Sequence, residues 1–467
     1  MTRERDVDMH VTLAQPPAPF AARQTPARSS LQPSPPMEKF VIDGGAALSG
    51  TVTPAGNKNG ALPILAASVL TEEEVVVANV PRIRDVEAML ELLELLGVTV
   101  DRRSEHCVAL CAAGVTAGAT VEQSVADRIR ASFLLAGPLL ARFGRVVMPP
   151  PGGDVIGRRR LDPHLDAFRA LGGENRSEGT DIVIEASGGR LRAGEVFMDE
   201  PSVMATENAL MAAALTPGTT VIGNAACEPH VQDLARMLVS MGAEIEGIGS
   251  NRLTVHGQAE LGGCDHRIAP DHIEIGSFMA MAGMTGGEMR IKDTEPGDLR
   301  MIRLVFERLG LHTSFDGSDL LVPGGQKLLV ARDMGDHVYK VQDGPWPQFP
   351  ADLTSIAVAL ATQSEGQVLV HEWMFESRLF FCDKLVSMGA KIHISDPHRA
   401  LVMGPAPLRG ARVESPDIRA GMAVLLAALS AEGRTEIYNI RQIDRGYERI
   451  DERLRAVGAR IQRVPVD

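Results

Sequence analysis

The chain has 467 residues, 45% of them hydrophobic and 23% charged, with 47 Lys and Arg against 60 Asp and Glu for a net charge of −13. That is a globular composition, long enough for two or three domains and too acidic for a non-specific nucleic-acid binder. No apolar run reaches the roughly 18 residues of a membrane span, and five scattered cysteines without C-x-x-C spacing read as reduced thiols of a cytoplasmic protein.

Residues 1–36 hold charge and seven prolines but no apolar signal core. They cannot bury enough apolar surface to offset their ordering entropy, so they are expected to be a disordered extension. Regular alternation starts in MEKFVIDGG, which makes Met37 a candidate natural start.

From there one unit recurs six times. A helix-period stretch ends on Gly and a short alternating strand follows, at Gly97, Gly172, Gly242, Gly310, Gly389 and Gly458, with spacings of 75, 70, 68, 79 and 69 residues. Gly past the last helical turn is a left-handed stop. Before each such helix come a strand and a loop, and before each strand a more apolar helix, from GNKNGALPILAASVL to DIRAGMAVLLAALS. Helices apolar nearly all round belong in a core. Their polar residues gather at their N-terminal ends: Lys58, Arg130, Ser202, His272, Asp352 and Arg419. Helix N-termini present free N–H groups that suit phosphates and carboxylates. Six units of about 70 residues exceed one core, so a three-plus-three division with a shared cleft is expected.

The candidate chemical residues follow in chain order. Lys58 opens a helix between Gly and Asn residues, as a phosphate contact or an exposed loop lysine. Arg130 lies in an otherwise apolar stretch, where an arginine needs a partner. The loop MPPPGGDVIGRRRLDPH sets Asp154 beside Arg158, Arg159 and Arg160. It reads as a lid bringing an acid and cations to an anionic substrate, or as a solvated surface loop. Asp352 is either a general base or a helix N-cap. Arg378, Arg419 and Arg445 each head a helix, where a cation opposes the dipole and an anionic ligand supplies the reason. No metal-ligand spacing, Walker loop or dinucleotide fingerprint is present.

These motifs resemble the enolpyruvyl transferases from about Met37 to the C-terminus: GNKNGALP, PPGGDVIGRRRLDPH, PSVMATENALMAAAL, FPADL, FESR, DIRAG and IDRGYERIDERLRAVGA. The resemblance implies an α/β fold, a two-domain inside-out α/β barrel with three repeats per domain. One domain would be residues 58–269 and the other 37–57 plus 270–467. It implies transfer of the enolpyruvyl group of phosphoenolpyruvate to the 3-hydroxyl of UDP-N-acetylglucosamine, an early step of peptidoglycan synthesis, by addition and elimination. The partners are those small molecules, with no nucleic acid, membrane, metal or organic cofactor. Lys58, Arg159, Arg378, Arg419 and Arg445 match positions that hold phosphoenolpyruvate. Asn59, Arg130, Arg159, Arg160, Leu161, Asp162, Pro163, Ser202, Val203, Met204 and Asp352 match the UDP-sugar site. Asp352 matches the base and Asp417 a carboxylate beside the reacting centre.

One departure matters. Most of the family has Cys where this chain has Asp154, the position of the acid that protonates phosphoenolpyruvate and the nucleophile that fosfomycin alkylates. A carboxylate is a far weaker nucleophile than a thiolate, so resistance to fosfomycin is expected. Met204, His272, Gln442 and Arg160 are smaller departures. An acceptor other than the UDP-sugar (a nucleotide or shikimate 3-phosphate) and a non-catalytic paralogue are the competing readings. The retained charged residues weigh against the second.

Overall fold

The computed structural model describes residues 37–153, 157 and 159–466. The extension 1–36, Asp154 and Arg158 lie outside the described residues. Residues from Glu38 onward form one contiguous unit. It contains two apolar cores: one spans Ala61 to Ile268, and the other combines Phe40 to Val52 with Ile273 to Ile461.

The strand pairing shows why the second core takes both ends of the chain. Strand Glu38–Asp43 lies between Arg434–Tyr438 and Arg460–Pro465, antiparallel to both. Strand Gly50–Val52 runs parallel to Met289–Ile291. The first core is closed by Cys264–Arg267, parallel to Val75–Ala78. Five sheets have four strands and one has three, so the strands of the described residues form separate open sheets rather than one closed ring. Five sheets contain a parallel pair. The sixth, Arg145–Met148 with Gly173–Glu178 and Asp181–Ala186, is wholly antiparallel and carries the 149–160 loop at its first strand.

Five of the six apolar helices are where the hydrophobic pattern puts them; the second, VADRIRASFLLAGPLLAR, is broken into Gln123–Ala126, the turn Arg130–Leu135 and Ala136–Phe143. Helix His272–Thr285 is buried from His272 to Met284, and Ile418–Ser430 from Ile418 to Leu429. These two and Thr354–Gln363 pack on one another as the centre of the second core. Each large apolar side chain buried this way contributes about 1.5–3 kcal/mol. The six stop glycines all adopt positive φ, from 87° at Gly172 to 109° at Gly242, a conformation that a β-carbon would strain. The starts of five of these stretches, at Lys58, Arg130, His272, Asp352 and Arg419, meet at one place.

Candidate active site

That place is a cleft of about 260 Å³ lined from one core by Lys58, Asn59, Asp85, Arg130, Glu207 and Glu228, and from the other by Asp352, Arg378, Asp417, Arg419 and Arg445. Lys58 is the first residue of helix Lys58–Ala67, whose N-cap Asn57 accepts from the Gly60 amide. The Lys58 amide donates to Asp271 at 3.0 Å, and its ammonium lies 3.0 Å from Asp85. Asp85, in the first turn of Arg84–Leu96, also accepts from Arg445 at 2.8 and 3.3 Å. Burial alone would raise the Asp85 carboxyl, but Lys58 and Arg445 hold it below its ordinary range.

Asp352 is the second hub. Its Oδ1 accepts from Arg378 at 3.2 Å, and its Oδ2 from Arg419 at 3.0 and 3.1 Å. Asn59 reaches Oδ2 across the cleft at 3.3 Å. Burial works against the charge, yet Arg419, Arg378 and Lys58 hold the carboxyl well below the usual carboxylate range. In return, burial disfavours the Arg378 and Arg419 charges, and Asp352 more than restores them. An anionic ligand entering here can exchange places with Asp352 and Asp85 as counter-ion to these cations.

Beyond the Lys58–Asp85 pair, the first core's wall holds charge sparingly. Arg130 donates to the main-chain oxygens of Arg159 and Arg160, at 2.6 and 3.3 Å. Burial first, and the Arg159 charge second, push it down to about 10. Gly153, at φ 109°, lies against Arg130, where a β-carbon would come within 2.9 Å of the arginine. Burial raises Glu207 well above its ordinary value and raises Glu228 too, and each has a buried oxygen without a partner. His230 and His164 are pushed down to about 3, and His272 of the second core to about 4, all chiefly by burial. His164 Nδ1 faces the Asn208 amide at 2.9 Å.

The comparisons with known proteins fit this arrangement. Residues 42–454 match the family model for EPSP synthase (3-phosphoshikimate 1-carboxyvinyltransferase). A protein of Bradyrhizobium diazoefficiens is 54% identical over 91% of this chain and 98% of its own length; it is named UDP-N-acetylglucosamine 1-carboxyvinyltransferase. The chain belongs to the UDP-N-acetylglucosamine 1-carboxyvinyltransferase family. A second relative with that name, from Treponema denticola, is 50% identical over 91% of this chain and 99% of its own. Among solved structures, the enolpyruvyl transferase NikO from Streptomyces tendae superposes with a TM-score of 0.80 at 24% identity, covering 93% of this chain and 100% of that one. EPSP synthase from Acinetobacter baumannii gives 0.71 at 18%, covering 91% and 100%. At those identities the likeness is one of fold, and the fold of this chain is that of the enolpyruvyl transferases.

Of the residues singled out from sequence, Lys58, Asn59, Arg130, Arg159, Val203, Met204, Asp352, Arg378, Asp417, Arg419 and Arg445 line the cleft of this transferase. Arg160, Leu161, Asp162, Pro163 and Ser202 do not. Arg160 instead pairs with Asp199 at 2.8 Å and with Asp162 at 3.4 Å, because those acids flank it on the exposed side of the loop. Asp352 is not an N-cap: it sits inside the turn Ala351–Leu353, with Pro350 at the cap. Asp417 is the cap, accepting from the Arg419 and Ala420 amides at 2.8 and 2.9 Å. Arg445 ends the turn Ile440–Arg445 rather than heading Ile450–Ala456. Arg378 begins its turn and pairs with Asp352, and lies 3.9 Å from the buried Glu372. Residues that sequence reasoning passed over include Asp85, Glu207, Glu228, His230 and Trp346. Asp85 carried one signal, a carboxylate in the first turn of a helix beside Arg84, but it read as a favourable helix start. Among the described residues one group of possible metal ligands exists, Glu105, His106 and Glu448. Its carboxylates are already taken up by Arg449 and the Arg82 amide.

Proposed function

We propose that the protein moves the enolpyruvyl group of phosphoenolpyruvate onto the 3-hydroxyl of UDP-N-acetylglucosamine and releases phosphate. The observation that carries this reading is Asp352, a carboxylate suspended between Arg378 and Arg419 and tied across the cleft to Asn59. The donor is an anion, and Lys58, Arg378, Arg419 and Arg445, with Arg159 from the loop, supply its counter-charges. As its carboxylate and phosphate replace Asp352 on the guanidiniums, Asp352 loses the charges that hold its pKa down. Its basicity rises at the moment a hydroxyl must be deprotonated.

The bonds then balance. A proton goes to the methylene carbon of the donor while the acceptor oxygen bonds to C2 and gives its proton to Asp352. The tetrahedral intermediate next loses a methyl proton and phosphate, restoring the double bond. Asp154 is the acid for the first step by position in the family motif. With a carboxyl rather than a thiol there, fosfomycin should not inactivate the enzyme, and Asp154→Cys should create time-dependent inactivation. A covalent fosfomycin adduct on Asp154 itself would overturn that expectation.

Residues 58–269 and 37–57 plus 270–467 serve as the two domains that carry the two walls, and the reaction belongs in the cytoplasm. Two separate cores support the first, and free cysteines without a membrane-spanning helix among the described residues support the second. The test is phosphate release from phosphoenolpyruvate with UDP-N-acetylglucosamine, with shikimate 3-phosphate and UMP as control acceptors. Release with the UDP-sugar alone is expected. Release with a control acceptor would move the reading to another acceptor, and none from folded protein would end it.

A further inference from the structure

A second cavity, of about 850 Å³, adjoins the cleft and shares Asp85 and Arg445 with it. Its wall holds six arginines, Arg82, Arg84, Arg128, Arg441, Arg445 and Arg449, against three carboxylates. Four of these arginines have acid partners: Arg82 with Glu87, Arg128 with Glu91, Arg445 with Asp85 and Arg449 with Glu105. Arg84 and Arg441 have no carboxylate within ion-pair distance among the described residues. Both line this cavity, and on the exposed Arg84, after burial, the Arg441 charge is the largest neighbouring influence lowering it; Arg128 adds to that, while Asp444 and Asp85 oppose it. Helix Arg84–Leu96 starts in the same wall with no side-chain cap on its free amides. Like charges gathered in a concave site cost energy that an anion recovers, and planar guanidiniums match phosphate oxygens two at a time.

We infer that this basin is a second anion site, taking inorganic phosphate or a small phosphate monoester on Arg84 and Arg441, separate from the catalytic cleft. Its volume lies within the range of small-molecule sites, so a monoester with a modest organic group has room. Neither arginine touches the catalytic hubs. Arg445 and Asp85, which do, form the partition between the two cavities. Occupancy of the basin would therefore be felt in the cleft through that ion pair. The inference does not depend on which acceptor the enzyme uses.

The experiment is calorimetric titration of the whole chain with inorganic phosphate, and separately with phenyl phosphate, at low salt. The wild type should bind two phosphates, one in each cavity. R84Q/R441Q should lose one of them, with affinity at that site reduced about tenfold or more per guanidinium removed. Its turnover at low phosphate should stay within about twofold of wild type, which also shows that it is folded. R84E/R441E should abolish the site outright. Equal affinity for the two probes would identify the ligand as free phosphate, and tighter phenyl phosphate as a monoester; both support the site. Unchanged stoichiometry in both double variants would overturn the inference. So would a single wild-type site that disappears in K58A.

Discussion

Away from the Lys58–Asp85 pair, the two walls of the cleft hold their polar groups differently. On the wall of the second core, Asp352, Arg378 and Arg419 are ionised and locked in mutual pairs. On the wall of the first core, apart from the Lys58–Asp85 pair, burial keeps His230 neutral and favours the protonated form of Glu207, and Arg130 rests on main-chain carbonyls instead of a carboxylate. The difference follows from partners. A charge taken out of water survives where an opposite charge repays its desolvation, and is otherwise given up by a pKa shift. The ionised wall suits a small anionic donor and proton transfer. The neutral wall suits a larger polar acceptor read by hydrogen bonds.

The strongest way to break this comparison is Asp352→Asn. Loss of a general base reduces kcat by about 10²- to 10⁴-fold. The KM for phosphoenolpyruvate should not rise with it, because Arg378 and Arg419 no longer have a competing counter-ion. Steady-state phosphate release reads both constants. A kcat within a few-fold of wild type would place the base elsewhere.

Arg130→Gln comes next. A charge-assisted hydrogen bond contributes about 1.5–3 kcal/mol, so the KM for the UDP-sugar should rise about 10- to 100-fold with kcat altered only a few-fold. An equal rise in the KM for phosphoenolpyruvate would show that the walls do not divide the substrates.

Much of this organisation was legible in the chain. The stop glycines mark the six repeats because a left-handed residue is a strictly local requirement. The apolar helices are legible because burial on all faces removes the helical stripe. The charged starts Lys58, Arg378 and Arg419 stand out against those helices. Asp85 was not legible, since its role exists only through Lys58 and Arg445, the latter 360 positions away. Glu207 was hidden inside SVMATENALMAAAL, where a lone acid reads as a solvated residue until its burial at 1% exposure is known. The loop was half legible. It brings Arg159 to the cleft, but Arg160 turns outward to Asp199, and nothing in the run of three arginines distinguishes them.

The neutral histidines give a smaller effect with a definite sign. His164 titrates near 3 in the folded protein against 6.5 when exposed, so between those values only the unfolded chain binds the proton. Stability is fully present above about pH 6.5 and falls as the pH drops toward 3. The His164 share of that loss at pH 5 is about 2 kcal/mol. In His164→Gln the difference between denaturation at pH 7 and at pH 5 should shrink by that amount. If it does not, His164 is charged in the fold.

The smallest expected effect sharpens the comparison most. Glu207 is raised by burial and by the neighbouring Glu228, which favours its protonated form. Gln has nearly the same shape and the same charge as a protonated Glu. Glu207→Gln should therefore change stability by no more than about 1 kcal/mol and leave turnover within about twofold, whereas the chemically parallel Asp352→Asn is severe. The two substitutions delete the same atom type from the same cleft. If Glu207→Gln instead cost as much as Asp352→Asn, Glu207 would have to be an ion serving the reaction, and the division of the cleft into a charged and a neutral wall would fail.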